Sequence, residues 1–265
     1  MTGHPVVLFD VGQTLVGPNG SYAAVYVRVL AELGLELEAG LVERSIRETS
    51  VEAARLVPPG GDRFSYFAGG ERPYWLWFVG RVLRGATGRG VDPEFASRAL
   101  DRLWVEFGRA AAWRVYEDAV PTLEALRAEG RRLGVVSNWD SRLPRLLETL
   151  GLAHYFEVLG VSHLEGVEKP DPALFHRVLQ RMGARPGDAL HVGNEAALDV
   201  AGARAAGIPA VLIDRRGVLG PRRTDLDSRA GARVAGPVAD GGLPWSTIGD
   251  LREVAGIARR GWAGR

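Results

Sequence analysis

The sequence predicts an α/β protein: a parallel sheet flanked by helices, with an all-helical subdomain inserted after the first strand. Three observations carry this. The apolar run Val6-Val7-Leu8-Phe9 ends on Asp10 and turns at Gly12-Gln13-Thr14, as a buried parallel strand does. Only helical patterns occur between 17 and 115. From 116 onward, short apolar runs alternate with helices at the spacing of right-handed βαβ units.

Composition narrows the class. A chain of 265 residues suits one large domain or a core with a smaller insert. At 46% hydrophobic and 25% charged it reads as an ordinary soluble globular protein. A net charge of +1 gives no electrostatic case for nucleic acid or an anionic membrane as partner. The absence of cysteine excludes disulfides, a thiol nucleophile and thiolate-bound metal. No apolar stretch has membrane-spanning length and the start of the chain lacks a leader pattern, so a cytoplasmic protein is expected.

Each element has its own signal. After the break Gly17-Pro18-Asn19-Gly20, the residues Tyr22, Tyr26, Val29, Leu30 and Leu33 share one helical face. A second helix is expected over 39–56, closed by Pro58-Pro59-Gly60-Gly61. Residues 74–83 are apolar nearly all round and read as a buried helix. Asp92-Pro93 is an N-cap with proline at the first helical position, starting a helix that runs to 107. The segment 17–115 carries 13 of the 21 aromatic residues, which supplies it with a core of its own. The expected division is therefore an α/β core of 1–16 plus 116–265 and a helical insert of 17–115. In the core, strands are expected at 133–136, 156–159, 189–192 and 210–213, and helices at 121–129, 143–150, 173–182, 196–206 and 248–258. A Gly/Pro/Arg-rich surface loop is expected over 215–244.

Rare residues mark chemistry. Lys169 is the one lysine among 33 basic residues. A lone lysine among arginines suggests a place where a compact ammonium is needed, although chance retention gives the same count. Polar residues recur just after the strands, and three of the four groups fall near one edge of the sheet. They are Asp10 with Thr14, Ser137 with Asn138, Lys169, and Asn194 with Asp199. Taken singly, Asp10 is equally a turn former or N-cap, Ser137 a turn hydroxyl, Lys169 a surface charge, Asn194 a turn residue and Asp199 a solvated helix face. Together and in this order they describe phosphoryl transfer. A carboxylate attacks phosphorus and forms an aspartyl-phosphate. A hydroxyl and a lysine hold the phosphoryl oxygens, and a divalent ion neutralises the remaining charge.

Four stretches carry a family resemblance: Phe-Asp-Val-Gly-Gln-Thr-Leu at 9–15, Val-Val-Ser-Asn at 135–138, Glu-Lys-Pro-Asp-Pro at 168–172, and His-Val-Gly-Asn at 191–194 with Asp199 five residues on. In these the chain resembles the haloacid-dehalogenase-like (HAD) hydrolases of subfamily I, with a helical cap after the first motif. The resemblance implies a Rossmann-like parallel core with a cap, and a Mg2+-assisted phosphatase acting on a small phosphorylated metabolite. It implies Asp10 as nucleophile, Ser137 on a phosphoryl oxygen and Lys169 as the motif-three lysine. It also implies Mg2+ between Asp10, the carbonyl of Gly12 and the motif-four residue, which here is Asn194. The residues expected at the phosphate are Thr14, Ser137, Asn138 and Lys169, and Asp199 is expected with Asn194 at the metal. Two departures stand out. The family's general acid/base lies two residues after the nucleophile, where this chain has Gly12, and glycine moves no proton. Asn194 brings an amide oxygen without charge, a shortfall that Asp199 or Glu195 would have to make good. Three activities stay open on these residues: a phosphatase with impaired acid/base chemistry, a non-catalytic binder of a phosphorylated ligand or protein partner, and a 2-haloacid dehalogenase. Halide leaves without a proton and that chemistry needs no metal. The retained nucleophile, lysine and motif-four spacing favour the first.

Overall fold

The computed structural model describes residues 4–58, 60–215, 233–234 and 245–260. In chain order, β1 (Val6–Phe9) and β2 (Val16–Pro18) lead into α1 (Tyr22–Glu32), α2 (Ala39–Ala54), α3 (Glu71–Thr87) and α4 (Pro93–Phe107). Next come β3 (Trp113–Val115), α5 (Ala119–Ala128), β4 (Arg132–Ser137), α6 (Leu143–Thr149), β5 (Val158–Val161), α7 (Ser162–Glu165) and α8 (Pro172–Arg181). The chain closes with β6 (Ala189–Gly193), α9 (Ala201–Ala205), β7 (Ala210–Ile213), β8 (Arg233–Val234), β9 (Trp245–Ile248) and α10 (Glu253–Arg260). It packs as two compact units, Met1–Gly17 with Val115–Arg265, and Pro18–Arg114.

The first unit is an α/β sheet in the order β5-β4-β1-β6-β7-β9-β8. All neighbours are parallel except the β8–β9 pair. The apolar run of β1 takes a central place because both of its faces are covered: Val7, Leu8 and Phe9 are wholly buried. Each such side chain contributes about 1.5–3 kcal/mol. Phe9 stands level with Val135 of β4 and Val192 of β6. The residues just past these three strands therefore converge at the carboxyl edge of the sheet, where open α/β folds bind ligands.

Several elements differ from expectation for local reasons. The strand expected at 156–159 lies two residues later and runs through Gly160. A Cβ there would stand 2.2 Å from Val178 of α8, so the glycine admits the helix onto the strand although it reads as a break. Strand β9 was not expected, because its buried Ser246 and Thr247 interrupt the apolar pattern, and the closing helix starts at Glu253, not 248. The helix expected from 196 opens as a π-turn over Ala196–Val200 and becomes α-helical only at Ala201. Strands β2 and β3 pair with each other and are too short to show a period. The expected surface loop lies outside the described residues, apart from Arg215 and Arg233–Val234.

The second unit is helical. Ser21 caps α1 through Ala24 N at 3.1 Å, and Asp92 caps α4 through Phe95 N at 3.2 Å. Its core includes Tyr26, Leu30, Val42, Phe64, Tyr74, Phe78 and Leu100. Phe64 and Tyr74 meet edge to face at 5.0 Å. The Ser45 hydroxyl of α2 donates to the Val82 carbonyl of α3 at 2.9 Å. Among the described residues no helix is long and apolar enough to cross a membrane.

Candidate active site

The β-ladder continues one residue past β1, with Asp10 N–H donating to the Val192 carbonyl at 2.9 Å. This fixes the Asp10 side chain between the ends of β4 and β6. The chain then folds back tightly, and the N–H groups of Thr14, Leu15 and Val16 all donate to the Val11 carbonyl. Gln13 takes the left-handed conformation, φ 60°, which non-glycine residues rarely adopt. The turn buries Thr14 completely and aims its hydroxyl inward, 3.0 Å from Asp10 Oδ2 and 3.2 Å from Asn194 Oδ1.

Ser137, the last residue of β4, donates to Asp10 Oδ1 at 2.9 Å. The Lys169 ammonium donates to the same oxygen at 2.8 Å, to Asp199 Oδ1 at 2.7 Å and to the Val136 carbonyl at 2.9 Å. Its three N–H groups thus have three acceptors, and the residue is 2% exposed. Burial alone would lower the Lys169 pKa, but Asp10 and Asp199 hold it well above the usual lysine range, so the ammonium stays charged. Burial likewise opposes ionisation of Asp199. The Lys169 charge and the His191 hydrogen bond overcome it and keep the carboxyl well below the usual range.

Two of the expected site residues face Lys169. Asn138 was expected on the phosphate. Its amide instead brackets the Lys169 backbone, with Nδ2 donating to the carbonyl at 2.9 Å and Oδ1 accepting from the N–H at 2.8 Å. It is a brace for the lysine. Asp199 was expected to help hold the metal. Its Oδ1 accepts from Lys169 and lies 3.0 Å from His191 Nε2, and its Oδ2 accepts from Glu195 N–H at 2.9 Å. Asp199 is thus a counter-ion of Lys169 beside Asp10.

For Mg2+ the remaining donors are the Asp10 carboxylate, the Gly12 carbonyl and the Asn194 amide oxygen. The Gly12 carbonyl accepts no hydrogen bond among the described residues. These are hard oxygens of the kind Mg2+ takes, and Mg2+ sites commonly use one or two carboxylates with the remaining places left to water and phosphate. The charges agree as well. Two carboxylates and one ammonium leave the buried cluster at −1, and a divalent cation would bring it to +1, receptive to a phosphoryl dianion. Among the described residues no three acidic or histidine side chains gather around a metal position. The donor set therefore fits Mg2+ with a reduced charge.

Five residues of this neighbourhood carry no role expected from the sequence. His191 is wholly buried, edge-on to Phe175 at 4.9 Å, with its Nε2 3.0 Å from Asp199 Oδ1. Its one sequence signal is a polar residue inside an apolar strand. Trp139 lies over Gly12, and a Cβ at position 12 would stand 3.1 Å from its ring. Ser162 holds the Trp139 backbone from both sides, accepting from its N–H at 3.1 Å and donating to its carbonyl at 3.2 Å. Tyr116 and Arg215 reach the Asp10 turn from distant parts of the chain, which no local pattern reveals.

A family model described as haloacid dehalogenase-like hydrolase matches residues 4–207. The chain is 32% identical over 212 residues to haloacid dehalogenase-like hydrolase domain-containing protein 3 of Danio rerio, covering 79% of this chain and 85% of that one. It is 33% identical over 252 residues to a phosphoserine phosphatase of Thermus thermophilus, covering 94% of this chain and 89% of that one. Among solved structures, a 2-haloacid dehalogenase from Pseudomonas syringae superposes with a TM-score of 0.59 at 24% identity, covering 97% of this chain and 99% of that one. At that identity the likeness shows the fold alone.

Proposed function

The chain belongs to the haloacid dehalogenase-like hydrolases, and from that membership we propose that it is a phosphatase-type hydrolase acting with Mg2+ on a small phosphorylated metabolite. The observation that carries this reading is the Asp10 carboxylate at the sheet edge, with Ser137 and Lys169 on one oxygen and Thr14 on the other. The phosphatase names among the relatives support it.

Asp10 attacks phosphorus, an Asp10–phosphorus bond forms, and the bond to the leaving oxygen breaks. Water then attacks phosphorus, phosphate departs and the carboxylate is restored. The Lys169 ammonium and the Ser137 hydroxyl stand where charge develops on the phosphoryl oxygens. Asp10, the Gly12 carbonyl and Asn194 would hold Mg2+, which supplies further charge neutralisation when bound. A proton for the leaving oxygen and a base for the water are missing at Gly12. General acid/base help is worth about 10²–10⁴-fold. Acyl and aryl phosphates need the proton least, so turnover should favour them over alkyl phosphates, with slow release of the aspartyl-phosphate.

The space over Gly12 sets the outcome of restoring that group. Gly12 lies outside the left-handed region, which falls on Gln13, so backbone strain does not bar a side chain there. The barrier is the Trp139 ring. Gly12→Asp alone should gain little, because the new side chain must push that ring aside. Gly12→Asp with Trp139→Ala should raise alkyl-phosphate turnover by up to roughly 10²-fold, and further with Asn194→Asp. Steady-state rates on folded protein with saturating Mg2+ measure this. Equal rates for the single and double variants would show that Trp139 is not the obstacle.

A panel of acyl, aryl and alkyl phosphates and 2-haloacids, with and without Mg2+, tests the reading against Asp10→Asn as blank. Mg2+-dependent phosphate release is expected. Halide release without Mg2+ would assign a carbon–halogen hydrolase. Phosphate-ester binding without turnover would assign a binding protein.

A further inference from the structure

The turn after Asp10 is strained at Gln13 and must be held from outside. The strongest hold comes from Arg215, more than 200 residues away in the chain and just past β7. Its guanidinium donates twice to the Thr14 carbonyl, from Nη2 at 2.6 Å and from Nε at 3.2 Å. It also forks onto Asp118, with Nη2 to Oδ1 at 2.9 Å and Nη1 to Oδ2 at 3.2 Å. Its Cζ lies over the Tyr116 ring, 3.8 Å from the centroid. The Tyr116 hydroxyl donates to Gln13 Oε1 at 3.2 Å, and the Tyr116 N–H donates to the Leu15 carbonyl at 3.0 Å. Asp118 is anchored in turn, since Leu251 N–H donates to its Oδ2 at 2.9 Å. The Arg215 side chain is 16% exposed and that of Asp118 8%. This is a clamp shielded from water, unlike a surface ion pair.

We propose that Arg215 is a positioning residue for Asp10: it locks the Thr14 carbonyl so that the hydroxyl of the same residue stays aimed at Asp10 and Asn194. Arg215 touches neither carboxylate oxygen of Asp10 and acts through Thr14, which is gripped at both ends. Only a guanidinium can serve two carbonyl bonds, a carboxylate fork and a stacked ring at once. The assignment of a catalytic consequence rests on Asp10 being the nucleophile, whereas the clamp itself does not.

Two measurements separate these. Hydrogen exchange followed by mass spectrometry reads the clamp without any substrate. In Arg215→Met, amides of 11–16 should exchange at least about ten-fold faster while those of β1 and β4 keep the parent rate. Arg215→Lys, which keeps a cation opposite Asp118 should the methionine variant fold poorly, should fall between. Parent-like exchange over 11–16 in a folded Lys or Met variant overturns the clamp. For the catalytic consequence, kcat on acetyl phosphate should fall roughly 10–10²-fold in Arg215→Met with KM little changed, as for a misplaced nucleophile. Thr14→Val combined with Arg215→Met should lose scarcely more than the worse single variant, because one acts through the other. Losses that multiply would show that Arg215 does not act through Thr14. A parent that turns over no phosphate ester would sink the phosphatase reading, while the exchange data still decide the clamp.

Discussion

Asp10→Asn protein should fold like the parent and lose phosphate-ester turnover by on the order of 10⁴–10⁶-fold. The amide has nearly the shape of the carboxylate, and its oxygen can still accept from Ser137 and Lys169. Lys169 also keeps Asp199 as a charged partner, so its ammonium is not stranded. What disappears is the anionic oxygen able to bond to phosphorus. Melting temperatures and initial rates, taken on the same preparations, check this. Substantial residual turnover in well-folded Asp10→Asn would mean that another group or a water performs the attack.

Lys169→Met should destabilise the fold by about 3–5 kcal/mol, the cost of breaking a buried ion pair from one side. Asp10 and Asp199 would face each other's charge with no cation between them, and Asp199 would keep only His191 and the Glu195 N–H. Activity should be lost as well. Lys169→Arg keeps the charge but places a wider, planar donor set where three acceptors lie 2.7–2.9 Å around one nitrogen. It should retain no more than about one-hundredth of parent turnover. The lysine–aspartate pair also sets a pH window. The Asp199 pKa is lowered on folding, so its contribution is present above about pH 4 and is lost as pH falls toward the lowered value. The Lys169 pKa is raised, so its contribution is present below about pH 10.4 and is lost only above that. Urea titrations from pH 3 to 10 on parent and Lys169→Met should converge toward acid. A constant stability gap across that range, or full activity of Lys169→Arg, would contradict the account.

The sheet was legible because its strands are fully buried apolar runs, and such runs survive in the sequence wherever no polar residue enters them. Ser246 and Thr247 do enter one, and β9 went unread. Asp10, Ser137 and Lys169 were legible for a related reason, since each sits next to a strand end or in a turn-marked loop. Their mutual contacts follow from parallel register once β4, β1 and β6 are neighbours. Asn138 and Asp199 were placed in the right neighbourhood, but their contacts with Lys169 were not foreseen. Sequence position says that a side chain is near a site, but which partner it satisfies is settled by three-dimensional competition for hydrogen bonds. Arg215 and Trp139 were invisible as site residues because an arginine after a strand and a tryptophan in a turn look like many others.

A covalent phosphoryl group on Asp10 is the intermediate on which the phosphatase chemistry depends. Parent protein mixed with radiolabelled acetyl phosphate and Mg2+, quenched in acid within seconds and digested, tests it directly. Acid-stable, hydroxylamine-labile label is expected on the peptide that carries Asp10, accumulating because Gly12 offers no base for its hydrolysis, and none in Asp10→Asn. Phosphate release with no label on that peptide at any quench time, or equal label in Asp10→Asn, would contradict it.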